Sequence, residues 1–87
     1  MTKTEKIKHV TKSVIVFMDA LGYTIVDDND GCLTFSNGEG NCNDYISYHR
    51  TYQDVYTING CNDKVKLVED KLNAFVKQMV SQVWLAA

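Results

Sequence analysis

Apolar residues in the last third of the chain recur every three or four positions. The repeat runs through Val65, Val68, Leu72, Phe75, Met79 and Val83. This spacing is that of one helix face, so it predicts a long amphipathic helix from Asp63 to Leu85. Asn62 is placed to cap its N-terminus, and Asp63 puts a negative charge in the first turn, where the helix dipole favours it. A helix with one broad apolar side needs a cover, which the rest of the chain must supply.

A second helix is predicted near the N-terminus, from Lys3 to Leu21. Thr2 and Glu5 have the spacing of a capping box, in which each residue satisfies a backbone N–H of the other. Gly22 suits the left-handed turn that ends many helices. The apolar repeat of this helix runs through Ile7, Val10, Val14, Phe17 and Leu21.

Between the two helices the repeat changes to two, which is typical of strands. Asp30-Gly31 is a strong hairpin signal, and turns are predicted over Asp27 to Gly31 and Arg50 to Gln53. The second strand would place Leu33 and Phe35 on one face. The predicted strands are Tyr23 to Val26, Cys32 to Ser36, Asp44 to His49 and Asp54 to Ile58.

Short connections make these strands an antiparallel meander. Each helix has one apolar stripe, so both helices should lie on the same face of the sheet. The chain is therefore expected to form a single α+β domain over residues 1–87, a two-layer sandwich of helix, four-stranded antiparallel meander and helix. Ile46 and Tyr48 would share one side of the third strand. Tyrosines occur on both faces of the last two strands, and a one-residue slip would exchange the exposed and buried sets.

Charge is unevenly distributed along the 87 residues, although the net charge is only −2. Residues 1–26 and 64–87 each carry four lysines against two acids, a balance of +2 apiece. Residues 27–63 carry seven acids against Arg50 alone, a balance of −6. The helices are thus the basic part of the chain and the sheet is the acidic part. Ordinary solubility can explain this distribution, and an acidic surface that meets a basic partner is the functional alternative.

Composition also argues against several classes of protein. A nucleic-acid-binding sheet needs cations for the phosphates, and this sheet region has one, so direct nucleic-acid binding is disfavoured. No apolar run approaches the roughly 18 residues of a membrane span, so we expect a soluble, cytoplasmic protein with no membrane association. Three cysteines without paired spacing favour reduced thiols over a disulfide framework.

The residues present complete no metal-binding or catalytic motif, and we expect no metal, cofactor or catalytic set. The layout resembles that of metal-dependent nuclease cores, but their acid-x-lysine strand motif is missing. The acidic run before Gly31 lacks the end residues of a calcium loop. Zinc-type ligands are present at spacings unlike those of zinc sites, and Cys42 with His49 lacks a third orienting group. The four zinc-type residues are Cys32, Cys42, Cys61 and His49.

The hypothesis that follows is a non-enzymatic protein-binding domain whose acidic, tyrosine-bearing sheet docks on a protein partner with a basic surface. In size and charge it resembles inhibitors of nucleic-acid-handling enzymes, including those of viruses and other mobile elements. The predicted partner-binding residues are Asp27, Asp28, Asp30, Glu39, Asp44, Tyr45, Tyr52 and Asp54.

Two alternatives remain beside it. The first is a homodimeric structural or adaptor protein that associates through the crowded apolar end of the second helix. The second is a zinc- or thiol-dependent enzyme. The predicted dimer contacts are Val80, Val83, Trp84 and Leu85.

Overall fold

A computed structural model describes residues 2–29, 31–37, 45–57 and 63–85. The order of elements is helix, four strands, helix, as the hydrophobic pattern predicts. The helices are α1 (Lys3–Ala20) and α2 (Asp63–Val80), and a short π-helical segment, Ser81–Leu85, continues α2. The strands are β1 (Thr24–Asn29), β2 (Cys32–Ser36), β3 (Tyr45–His49) and β4 (Asp54–Thr57).

The four strands form one antiparallel sheet in the order β1-β2-β3-β4. Both helices cover the same face of this sheet, which confirms the two-layer α+β architecture. The register is settled, because Ile46 and Tyr48 are fully buried and face the helices. The remaining buried apolar side chains are Val10, Val14, Met18, Tyr23, Leu33, Phe35, Val65, Leu72 and Val76.

Both ends of α1 follow their predicted chemistry. The Thr2 side chain accepts a hydrogen bond from the Glu5 N–H, and the Glu5 carboxylate accepts one from the Thr2 N–H, each at 3.2 Å. At the other end, the Tyr23 N–H donates to the Met18 carbonyl at 2.9 Å, and Gly22 has φ +85°. This is a Schellman ending, which leads the chain directly from α1 into the sheet.

The predicted end of β1 was wrong. The turn expected from Asp27 does not begin there, because β1 continues through Asp27 and Asp28 to Asn29 and pairs with β2. A β-bulge at Val26 shifts the register by one residue. The shift places Asp27 on the face away from the helices. An edge strand tolerates such charges because it is solvated and because charges discourage unwanted strand pairing.

The hairpin signal itself is confirmed. Asn29 lies opposite Cys32, and Gly31 has the positive φ of +92° that a tight two-residue connection demands. At the far end of the chain, the α-helical repeat predicted to reach Leu85 stops at Val80. The positions predicted at Asn62 and Ile58 lie outside the described residues.

Candidate protein-binding surface

The face of the sheet turned away from the helices is built mostly from polar side chains. Its central pair is Thr34 and Ser47, whose hydroxyl oxygens are 3.2 Å apart across β2 and β3. Ser36 and Ser47 are buried there although they face away from the core. The floor of this surface, which we call the outer face, is therefore a row of small hydroxyl side chains, of which Thr34 keeps partial contact with solvent.

Acidic side chains stand at the two edges of the outer face. Asp27 lies on β1 and Asp54 on β4, and both are exposed. Three strand spacings separate these strands, a width of roughly 14 Å. The Asp27 carboxylate accepts a hydrogen bond from the Asn29 side-chain amide at 3.2 Å. The two carboxylates thus flank the hydroxyl floor from opposite sides.

Asp28 does not belong to the outer face. It pairs with Leu33 in the β1–β2 register and so lies on the side of the sheet that carries the helices. Its carboxylate forms an ion pair of 3.1 Å with Arg50, which is the only cation between residues 27 and 63. The single positive charge of the acidic segment is therefore held on the helix side. The sequence of that segment contains no lysine or second arginine that could neutralise Asp27 or Asp54.

Among the aromatic side chains that the structure describes in the sheet region, Tyr52 is the most exposed, with 74% of its surface accessible. The turn that carries it is held in place by His49. The Tyr52 N–H donates to Nδ1 of His49 at 3.3 Å, and the two rings lie 4.7 Å apart. Gln53 closes the turn at φ +57°, where its N–H donates to the His49 carbonyl at 2.7 Å. The exposed tyrosine therefore projects from an ordered turn.

A second link joins this turn to the β1–β2 hairpin. The Arg50 N–H donates to the Gly31 carbonyl at 2.6 Å, next to the Asp28–Arg50 ion pair. A side chain at Gly31 would come within 3.4 Å of the His49 ring. The sequence showed both turns but not this contact between them, because residues 31 and 50 meet only once the strands are paired.

The eight predicted partner-binding residues are therefore divided. Asp27, Asp54 and the half-buried Tyr45 occupy the outer face, Tyr52 lies in the adjoining turn, and Asp28 lies on the helix side. The other three predicted positions, Asp30, Glu39 and Asp44, fall outside the described residues.

Cys32, His49 and Asp54 stand side by side on β2, β3 and β4. Sequence reasoning had considered Cys42 as the partner of His49, and Cys42 lies outside the described residues. A nucleophilic site would need a group that orients the imidazole toward the thiol. Here Nδ1 of His49 is used by the Tyr52 backbone instead. Within residues 2–29, 31–37, 45–57 and 63–85, no three His, Cys, Asp or Glu side chains form a metal-binding group.

The predicted dimer contacts have partners within the chain. Val80, Val83 and Trp84 are half-buried and pack against the hydrophobic core. The Lys6 ammonium lies 5.6 Å from the centre of the Trp84 ring, within cation–π distance. The side chain of Leu85 is not among those described. The apolar end of the second helix is therefore covered in large part by α1 and the core.

Comparisons with models of protein families, with curated proteins and with solved structures gave no match. None of the helices in the described part of the chain combines the length and the apolar character that crossing a membrane requires.

Proposed function

We propose that this domain binds a protein partner that presents a basic surface, and that it does so through the outer face and the turn carrying Tyr52. The observation that supports this most directly is the placement of charge. Asp27 and Asp54 flank the outer face, while the lysines of the chain are confined to the helical segments. An acidic field of this kind speeds encounter with a positive surface and disfavours partners that are themselves acidic.

The side chains between the two acids suit a polar interface. Thr34, which is half-buried, offers a hydroxyl group, and interfaces commonly carry about one hydrogen bond per 100–200 Å² together with bridging water. Tyr45 and Tyr52 supply aromatic surface at the margin of the hydroxyl floor. Tyrosine is a frequent anchor of binding energy because it combines apolar area with a hydrogen-bonding group.

The specific form of this proposal is an inhibitor of an enzyme that handles nucleic acids. Such enzymes hold phosphates with lysine and arginine, so their substrate grooves are basic. A small domain with acids on both margins of one face can occupy such a groove in place of nucleic acid. The support for this form is that the domain has the size and charge of such inhibitors. It shares no sequence motif with them.

The test is capture of the partner by two matched double variants. Asp27→Asn with Asp54→Asn removes both acids of the outer face, and Glu69→Gln with Asp70→Asn removes two acids of α2 and changes the net charge equally. We expect the first variant to bind the partner, identified by mass spectrometry and then purified, at least about tenfold more weakly. The second variant should bind as the native protein does, and added salt should weaken native binding.

Equal binding by the native protein and both variants would contradict the proposal, because the acids of the outer face would then make no contribution. Equal loss in both variants would show that overall charge, and not this surface, controls association.

A further inference from the structure

The edge strand β1 is the least covered element of the sheet. All six of its residues are exposed, and among the described residues it pairs with β2 alone. Its other side therefore presents backbone N–H and C=O groups that a further strand can bind. Ile25 and Val26 remain 40% and 53% exposed, so two adjacent β-branched residues of this strand keep apolar surface in contact with water.

A groove runs beside this strand, between β1 and α1. It has a volume of about 290 Å³ and its walls are largely apolar. Ile15 and Val16 of α1 form one wall, Ile25 forms the other, and Phe35 of β2 lies at the base. Val16 is 70% exposed, so this wall faces solvent. Among the described residues that line the groove, Asp19 alone is charged.

We propose that β1 and this groove receive an extended segment of the partner, which adds to the sheet as a strand. This inference rests on the basic partner of the proposed function and names the part of the partner that makes contact. In an added strand, successive side chains point to opposite faces. One set would enter the groove and should be apolar, while the other would lie beside Asp27 on the outer face and should be lysine or arginine.

Charge favours this occupant over a second copy of the chain, and this groove over a larger one. A second copy of the chain would bring a second Asp27 and Asp28 into the ladder, and like charges across a strand pair are destabilising. The larger groove on the helical layer, about 550 Å³, includes His9 and Lys12 in its lining and so does not favour a basic segment.

The probe is a peptide with acetylated and amidated ends in which lysine alternates with valine. Its length of about nine residues is within the usual range for a strand. Two control peptides alternate lysine with serine and glutamate with valine. Binding is followed through the backbone amide signals of the isotope-labelled protein. We expect the lysine–valine peptide to shift the signals of residues 24–29 and 15–19. It should also slow hydrogen exchange of those β1 amides that do not donate to β2. Both control peptides should bind at least tenfold more weakly.

Two matched variants test the groove. Val16→Lys adds a positive charge to the wall of the groove, and Leu67→Lys adds the same charge to α2 at a position that does not line it. The two side chains are similarly exposed, at 70% and 62%, so both variants should keep the fold. We expect Val16→Lys to weaken peptide binding at least tenfold and Leu67→Lys to change it less than twofold.

The possible results separate strand addition from the proposed function. Peptide-induced shifts confined to the outer face, around Thr34, Ser47 and His49, would reject the groove while leaving the proposed function intact. Binding in the groove together with unaltered partner capture by the Asp27→Asn, Asp54→Asn variant would contradict the proposed function and leave strand addition at β1 intact. Absence of peptide binding would reject the inference, and β1 shifts that depend on protein concentration alone would identify a second copy as the occupant.

Discussion

Strands β1 and β3 belong to one sheet and each carries an isoleucine, yet the environments of the two isoleucines are opposite. Ile46 in β3 is completely buried, whereas Ile25 in β1 keeps 40% of its surface exposed. The difference comes from position, because β3 has a strand on each side and helices above it, while β1 is at the edge beside an open groove. The comparison teaches that an apolar residue in a strand belongs to the hydrophobic core only where neighbouring elements cover it. Where no neighbouring element covers it, the same residue forms part of a surface that is available for binding.

The largest effect should come from truncating the two isoleucines in turn. We expect Ile46→Ala to lower the free energy of unfolding by about 3 kcal/mol, since it leaves a cavity in a packed core. Ile25→Ala should cost less than about 1 kcal/mol, because the residue keeps much of its contact with water in the folded state. Urea denaturation with an unchanged m-value measures both. Equal losses would show that β1 is as much a part of the core as β3.

A smaller effect concerns pH and Tyr48, the largest fully buried side chain of β3. Burial raises the pKa of Tyr48 to about 12, and the nearby Thr11 side chain partly opposes this. Between pH 10 and 12 the unfolded chain loses a proton that the folded chain retains. The free energy of unfolding therefore falls as pH rises through this window, by an amount on the order of 2 kcal/mol.

The Tyr48→Phe variant should lack this part of the alkaline decline. At neutral pH it should be about as stable as the native protein, because the Tyr48 hydroxyl has no hydrogen-bond partner of good geometry among the described residues. Denaturation curves for the two proteins from pH 9 to about 12 supply the comparison. If the free energy of unfolding falls equally with pH in both proteins, groups other than Tyr48 cause the alkaline decline.

The smallest effect should come from the ion pair at the β1 edge. Asp28→Asn removes the partner of Arg50, but both side chains are partly exposed, at 55% and 32%. We expect a loss of about 0.5 kcal/mol or less, diminishing further in salt. A loss above about 2 kcal/mol would mean that the edge strand depends on this pair and is less tolerant of change than its exposure suggests.

The elements themselves could be predicted well wherever the local signal was complete. The limits of β2 agree at both ends, and α1 begins at the residue that follows the capping threonine, as expected. The error in β1 arose because Asp27, Asp28 and Asn29 read locally as turn residues. Their pairing with β2 through a bulge depends on a partner strand.

The candidate site was predicted in composition but not in arrangement. Asp27 and Asp28 are adjacent in sequence, yet the pleat sends them to opposite sides of the sheet, so only Asp27 adds to the acidic outer face. The groove beside Val16 and Ile25 was not predicted either, because Val16 lies outside the apolar repeat of α1 and Ile25 fits that of an ordinary strand. The groove itself is seen only in the tertiary structure, because it depends on how far α1 and β1 lie apart.

The sequence by itself determined the order of elements, the helix ends at Thr2 and Gly22, and the separation of basic helices from an acidic sheet. These are local properties, carried by repeats of a few residues and by the charge of each segment. Only the tertiary structure decided which apolar residues are buried, where the single arginine is held, and which strand edge is open. Those properties depend on contacts between residues far apart in the chain, and no local repeat encodes them.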